Sequence, residues 1–178
     1  DTEEWNGSAW TETADYPASL SGIIQLGTQT AAFAIGGATD PGPYVNTTNT
    51  YNGSSFSSST AINTARSNGI GSGSTTAAVI AGGSTPSATA ATELWNGSAW
   101  TEVNDLNTAR DLLAGSGSSS TNSLAFGGLA TAVTSTESWD GTSWTEVNDL
   151  GTGRRELGGS TNGSNTVALA FGGCTSPG

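Results

Sequence analysis

The chain has 178 residues, which is enough for one domain with a substantial hydrophobic core. Its 15 acidic residues face only 4 arginines, with no lysine and no histidine, so the net charge is −11. This charge would repel phosphate backbones and anionic lipid surfaces, and no run of about 18 apolar residues occurs. We therefore expect neither nucleic-acid binding nor membrane insertion.

Two landmarks return along the chain at regular spacing. A phrase of the form aromatic-Asn/Asp-Gly-x-x-aromatic begins at Trp5, Tyr51, Trp95 and Trp139. A glycine pair keeps step with it, at Gly36-Gly37, Gly82-Gly83, Gly127-Gly128 and Gly172-Gly173. A period of 44 to 46 residues predicts a repeat architecture in a single domain, residues 1–178. The repeats run over about 5–50, 51–94, 95–138, and 139–178 plus 1–4.

Each aromatic phrase predicts a β-hairpin. In the copy at Trp95, the Asn96-Gly97 pair favours a two-residue type I′ turn, because that turn needs positive φ at both central residues. Such a turn would place Trp95 opposite Ser98, with Trp100 on the same face as Trp95. Two indoles on one face of a hairpin are suited to packing one sheet against the next.

The remainder of that repeat predicts two more strands. A short apolar strand at 112–115 and a buried strand at 123–126 are separated by a serine-rich turn, and no segment has sustained helical periodicity. Four short strands in each period match one blade of a β-propeller. The presumed innermost strands consist of Gly, Ala and Ser, which allows close approach to a central axis.

One order of elements recurs along the chain: a hydrophobic strand that ends in Gly-Gly, then a variable loop, then two spaced aromatics. One copy is Phe126-Gly127-Gly128 followed by Trp139 and Trp144, and two further copies precede it. The pattern resembles the kelch repeat over essentially the whole chain. The resemblance implies an all-β, kelch-like β-propeller with four blades of four antiparallel strands. The Thr/Gly/Asn-rich copies are similar to short kelch-like repeats of phage structural proteins and bacterial surface proteins.

The two ends of the chain supply the two halves of one predicted blade. Residues 2–5 and 8–10 would complete the blade begun by 157–159 and 167–171, which would remove free sheet edges. This closure predicts a four-bladed monomer. Three alternatives stay open: two chains sharing an eight-bladed ring, a segment of a longer array, and head-to-tail filaments built by completing a neighbour's blade.

Three arginines recur at intervals of 44 residues: Arg66, Arg110 and Arg154. Leu20 stands at the fourth equivalent position. Arginines can hold carboxylates or phosphates through paired hydrogen bonds, so these three are candidate ligand or interface residues. Their equivalent placement favours a structural role, in which each arginine stacks on an aromatic ring or pairs with an acid such as Asp105 or Asp149.

Two tyrosines break the repeat and are further candidates for ligand or interface contacts. Tyr51 stands where the other three phrases have tryptophan, and Tyr44 ends a long insertion. Without histidine or lysine the chain lacks the usual general bases and activated nucleophiles. We expect no enzyme activity, no cofactor and no metal site.

The sequence therefore favours a non-enzymatic structural or interaction propeller. The expected place is a virion tail or fibre or a cell surface, where it would serve adhesion or assembly through protein partners or surface glycans. A lectin-like propeller that binds glycans is the alternative.

Overall fold

The computed structural model describes residues 1–129 and 131–175, so the last three positions of the fourth repeat lie outside the described range. Sixteen β-strands make up the described chain, which contains no helix. The strands are β1 (Glu3–Trp5), β2 (Trp10–Glu12), β3 (Ile24–Thr28), β4 (Ala31–Ile35), β5 (Thr48–Tyr51), β6 (Phe56–Ser59), β7 (Ile70–Gly73), β8 (Ala78–Ala81), β9 (Thr92–Trp95), β10 (Trp100–Glu102), β11 (Ala114–Ser119), β12 (Asn122–Phe126), β13 (Thr136–Trp139), β14 (Trp144–Glu146), β15 (Gly158–Gly159) and β16 (Ala170–Phe171). It follows that no helix in this part of the chain could cross a membrane.

Twelve of the strands form three antiparallel sheets of four strands, each in chain order. Sheet I contains β3 to β6, sheet II contains β7 to β10, and sheet III contains β11 to β14. The N-terminal hairpin, β1–β2, and the C-terminal pair, β15–β16, are separate two-stranded sheets. The predicted all-β repeat architecture is confirmed. Among the described strands, β1 is not paired with β16.

The hairpin loops differ from the predicted type I′ turn. Trp95 lies directly opposite Trp100, so the loop has four residues. Asn96 Oδ1 closes it by accepting hydrogen bonds from the backbone N–H groups of Ser98 and Ala99, at 2.9 and 3.0 Å. Gly97 has positive φ and Asn96 does not. The asparagine therefore serves as a side-chain acceptor, as in other Asx turns.

The shared face of the two indoles is confirmed, and it forms part of the core. The ring centroids of Trp95 and Trp100 are 5.3 Å apart, and Phe33 of sheet I lies edge-on to Trp95 at 5.7 Å. Equivalent clusters lie between sheets II and III and between sheet III and the C-terminal pair. Each sheet therefore buries its apolar face by stacking on the next one, as in other repeat proteins.

The first strands of successive sheets approach one another closely, as their small residues predict. A Cβ atom at Gly71 of β7 would lie 3.0 Å from the side chains of Ile24 and Leu26 in β3. One cavity of about 520 Å³ is lined by residues of β3, β7 and β11 together with Thr161 and Asn162. All four repeats thus contribute to a common cavity.

A second shared feature lies at the start of these strands. Four equivalent residues there have positive φ: Gly22, Asn68, Leu112 and Glu156. Three of them donate a backbone N–H to the carbonyl of the equivalent residue one repeat earlier, at 2.8 Å from Asn68, 3.1 Å from Leu112 and 2.8 Å from Glu156. The same four residues line a cavity of about 240 Å³. The first strands therefore converge at this end of the molecule as well.

The loop at Asp140 generates a test of pH dependence. Asp140 stands where the other three loops have asparagine, and hydrogen bonds from the backbone of Ser143 and Thr142 lower the pKa of its carboxyl group. A lowered folded-state pKa adds stability above the ordinary value of 3.8, and this stability is lost as the pH falls through the folded-state pKa. We expect Asp140→Asn to lose less stability on acidification than the wild type, measured by urea unfolding at several pH values.

Asn96→Asp is the matched control, because it places a carboxyl group in an otherwise equivalent loop. It should make the protein more sensitive to acid. The same pH dependence in the wild type and both variants would contradict the assignment.

Candidate functional site

The loops before sheet II, sheet III and the C-terminal pair carry the recurrent arginine, and in the first two its side chain is fully buried. Arg66 precedes β7, and its Nη2 lies 2.6 Å from Glu93 Oε1 on β9. Its Nη1 donates to the carbonyls of Ala91 at 2.5 Å and Gly82 at 3.4 Å. The arginine thus ties the start of sheet II to the third strand of the same sheet.

Arg110 repeats this arrangement in sheet III. Its Nη2 lies 2.8 Å from Glu137 Oε1 on β13, and its Nη1 donates to the carbonyls of Ser135 at 2.7 Å and Gly127 at 3.0 Å. Arg110 and Glu137 are both buried. Burial lowers the pKa of both guanidinium groups, Arg66 and Arg110, and the adjacent glutamate opposes this shift.

The second carboxylate oxygen of each buried glutamate is also occupied. Asn63 donates to Glu93 Oε2 from its backbone at 2.7 Å and from its side-chain amide at 2.8 Å. Asn107 does the same to Glu137 Oε2 at the same two distances. Both carboxylates are therefore enclosed in hydrogen bonds, which a buried charge requires.

The backbone of the arginine reaches in the opposite direction, to the preceding sheet. The carbonyl of Arg66 accepts from Gly37 N at 2.8 Å, and the carbonyl of Arg110 accepts from Gly83 N at 2.8 Å. Both residues of each glycine pair have positive φ, which glycine adopts without strain. The recurrent arginine, with its acidic partner, and the preceding glycine pair therefore form the two sides of one junction between neighbouring sheets. We call this unit the arginine junction.

The expected partners of the arginines were wrong. Asp105 and Asp149 were the expected acids, but they lie at the surface and accept hydrogen bonds from the backbone of Thr92 at 3.1 Å and Thr136 at 3.2 Å. The actual partners are Glu93 and Glu137, which lie on the third strand of sheets II and III. Their side chains face the loop that carries the arginine. Sequence analysis missed these glutamates.

One signal in the sequence points to the glutamates. Sheet I has Leu20 at the arginine position and Asn49 at the glutamate position. The arginine and the glutamate are thus both present in sheets II and III and both replaced in sheet I. Asn49 instead donates to the hydroxyl of Tyr16 at 3.1 Å.

Arg154 precedes the C-terminal pair and is only half-buried. Its carbonyl accepts from Gly128 N at 2.9 Å, and its Nη1 donates to the carbonyl of Gly172 at 3.0 Å. Arg154 forms no ion pair with any residue that the structure describes. It therefore makes part of an arginine junction without the acid.

A cleft of about 390 Å³ separates the N-terminal hairpin from sheet I. Aromatic rings of Tyr16, Tyr51 and Phe56 line it together with Glu3 and Glu4. The Tyr51 hydroxyl donates to Glu4 Oε1 at 2.7 Å. The other candidate tyrosine, Tyr44, is half-buried and outside the lining of this cleft.

The described residues contain no cluster of three or more acidic or cysteine side chains able to hold a metal ion. No protein-family profile matches the chain, and no curated protein matches its sequence.

The two buried ion pairs generate a stability prediction. Arg66→Leu leaves the Glu93 carboxylate buried without its counterion, which should lower the free energy of unfolding by about 3–5 kcal/mol. Adding Glu93→Asn recreates the Leu–Asn combination that sheet I already uses. We expect the double variant to regain most of this loss, measured by urea unfolding.

If the two substitutions, Arg66→Leu and Glu93→Asn, lower the free energy of unfolding additively, the pairing is contradicted. Leu20→Ala is the control, because the loop is equivalent but has no charged partner, and it should lose only the packing of its side chain.

Proposed function

We propose that this chain is a non-enzymatic structural or interaction module of a virion tail, a fibre or a cell surface. The observation that carries the proposal is the use of buried charge. The buried charged side chains join loops to strands through two ion pairs, Arg66–Glu93 and Arg110–Glu137. In an enzyme, we would expect such groups to face an accessible cleft. The chain needs no cofactor for this role, and its partners are proteins or surface glycans.

The fold we propose is a closed, four-bladed, kelch-like propeller in which the N-terminal hairpin completes the blade begun by β15–β16. Sheets I, II and III are the other three blades. The apolar surfaces at both ends of the stack support closure. Trp5 and Trp10 are 45% and 64% exposed, whereas the equivalent Trp139 and Trp144 are 0% and 5% exposed.

The C-terminal pair presents a matching apolar face. Val167, Leu169 and Phe171 are 72%, 60% and 55% exposed. Phe33 and Ile35 are the residues equivalent to Leu169 and Phe171, and they are buried against sheet II. Closure would cover this face with the back of sheet I.

The backbone around Gly172 also has space for the neighbouring strand that closure would bring. A Cβ atom added at Gly82 or Gly127 would meet the carbonyl of the next arginine, whereas at Gly172 it would meet nothing within 4 Å. Closure would bring the Leu20 carbonyl to Gly173 N, as Arg154 does at Gly128. It would also let Gly22 N donate to Glu156 O, which completes the series of bonds at the axis.

Engineered disulfide bonds test closure. In a Cys174→Ser background, the pair Leu169→Cys and Glu4→Cys occupies positions equivalent to the directly opposed Leu124 and Ser138. We expect oxidation to cross-link residues 169 and 4 within a single chain, as seen by mass spectrometry. The control pair, Leu124→Cys with Ser138→Cys, should cross-link in the same conditions.

Failure of residues 169 and 4 to cross-link while the control pair does would contradict closure. A cross-link between two chains, with twice the chain mass, would contradict closure within one chain and favour a shared ring or a filament.

Electron microscopy with gold-labelled antibodies tests the proposed location. Antibodies raised against the purified chain should label particle tails, fibres or the outer surface of the source cells. Antibodies pre-absorbed with the protein are the control. Label confined to the cell interior would contradict the proposal.

Glycan binding is the second candidate function, favoured by the cleft at sheet I. Tyr16, Tyr51 and Phe56 offer rings for stacking on sugars, and Glu3 and Glu4 can accept hydrogen bonds from hydroxyl groups. Closure and this function compete for the same space, because the apolar face of residues 167–171 would fill the cleft.

A glycan array tests the second candidate. Binding that Tyr16→Ala removes and Tyr44→Ala retains would support the cleft as the site. An array without any bound glycan would contradict it.

A further inference from the structure

We infer that Glu3 is the acid that pairs with Arg154, and that this pair selects the hairpin that completes the fourth blade. The edge of β16 would thus accept a hairpin of the form Thr-Glu-x-Trp, with Arg154 recognising its glutamate. This inference rests on the proposed completion of the blade and names the residues that determine its register.

Arg154 is already placed as the two buried arginines are. Its bond to the Gly172 carbonyl, at 3.0 Å, matches that of Arg110 to the Gly127 carbonyl, also at 3.0 Å. Among the residues that the structure describes, two groups of a full arginine junction are absent from the surroundings of Arg154: a carboxylate and a second carbonyl. In sheet III these groups come from Glu137 and Ser135.

The N-terminal hairpin offers both missing groups in the required order. Thr136-Glu137-Ser138-Trp139 makes up β13, and Thr2-Glu3-Glu4-Trp5 begins the chain's first hairpin in the same register. The residue before the threonine supplies the second carbonyl in sheet III, where it is Ser135, and the equivalent residue of the N-terminal hairpin is Asp1. Glu3 forms no ion pair in the described structure.

The N-terminal hairpin also has the same internal construction as its counterparts. Thr13 N donates to the Thr2 carbonyl at 2.9 Å, as Val147 N does to the Thr136 carbonyl at 3.0 Å. The rings of Trp5 and Trp10 are 5.6 Å apart, close to the 5.2 Å of the pair on β13 and β14. The hairpin is therefore preformed as the outer half of a blade.

Sheet I shows why the match is specific. Its hairpin has Asn49 in place of the glutamate and its loop has Leu20 in place of the arginine. A hairpin with asparagine would leave Arg154 without a counterion, and a glutamate opposite Leu20 would be buried unpaired. Each mismatch leaves a buried polar group unsatisfied, so the pairs discriminate between hairpins.

A double-mutant cycle on the full chain tests the inference. We expect Arg154→Leu and Glu3→Asn each to raise the unfolding equilibrium constant, and the double variant to show coupling of about tenfold. Exchanging the charges with Arg154→Glu and Glu3→Arg should rescue the fold relative to either charge-reversed single variant. The matched comparison is the cycle on Arg66 and Glu93, which should couple in the same direction.

The disulfide between positions 169 and 4 separates this inference from closure. If the disulfide forms within one chain but the two substitutions are additive, the pairing of Glu3 with Arg154 is overturned and closure stands. If the cycle shows coupling while the disulfide links two chains, the pairing stands and closure within one chain is overturned. If neither appears, both are overturned.

Discussion

The arginine junction is the constraint on which the arrangement of the sheets depends. A sheet in this chain has too little apolar surface to be stable alone, so it must stack on a neighbour in a defined orientation. The arginine backbone fixes that orientation by binding the preceding glycine pair, while the arginine side chain enters the following sheet. One residue therefore holds the end of one repeat and the beginning of the next.

Buried ion pairs are costly to desolvate, so we infer that these two contribute more to specificity than to net stability. The tryptophan-lined clusters supply the non-directional attraction between sheets. The Arg66–Glu93 and Arg110–Glu137 pairs add a requirement for matching partners, which apolar packing alone does not impose. The Leu20–Asn49 combination shows that a sheet also forms with an uncharged pair.

The sequence predicts the repeat, the four strands per period and the shared face of the aromatic pairs, because side-chain patterning determines all three. It does not predict the four-residue loops, since Asn96-Gly97 is compatible with two turn types and only the capping contacts distinguish them. It also points to Asp105 and Asp149 as arginine partners and does not identify Glu93. That choice depends on which side chains face the interior, and spacing alone does not show this for a short strand.

Hydrogen exchange of β1, followed by mass spectrometry, tests the central claim most directly. If the N-terminal hairpin completes the fourth blade, the amides of Glu3–Trp5 are protected to the same degree as those of Thr136–Trp139, the equivalent strand of sheet III. Exchange of the Glu3–Trp5 amides at the rate of an unpaired edge, while those of Thr136–Trp139 stay protected, would contradict it.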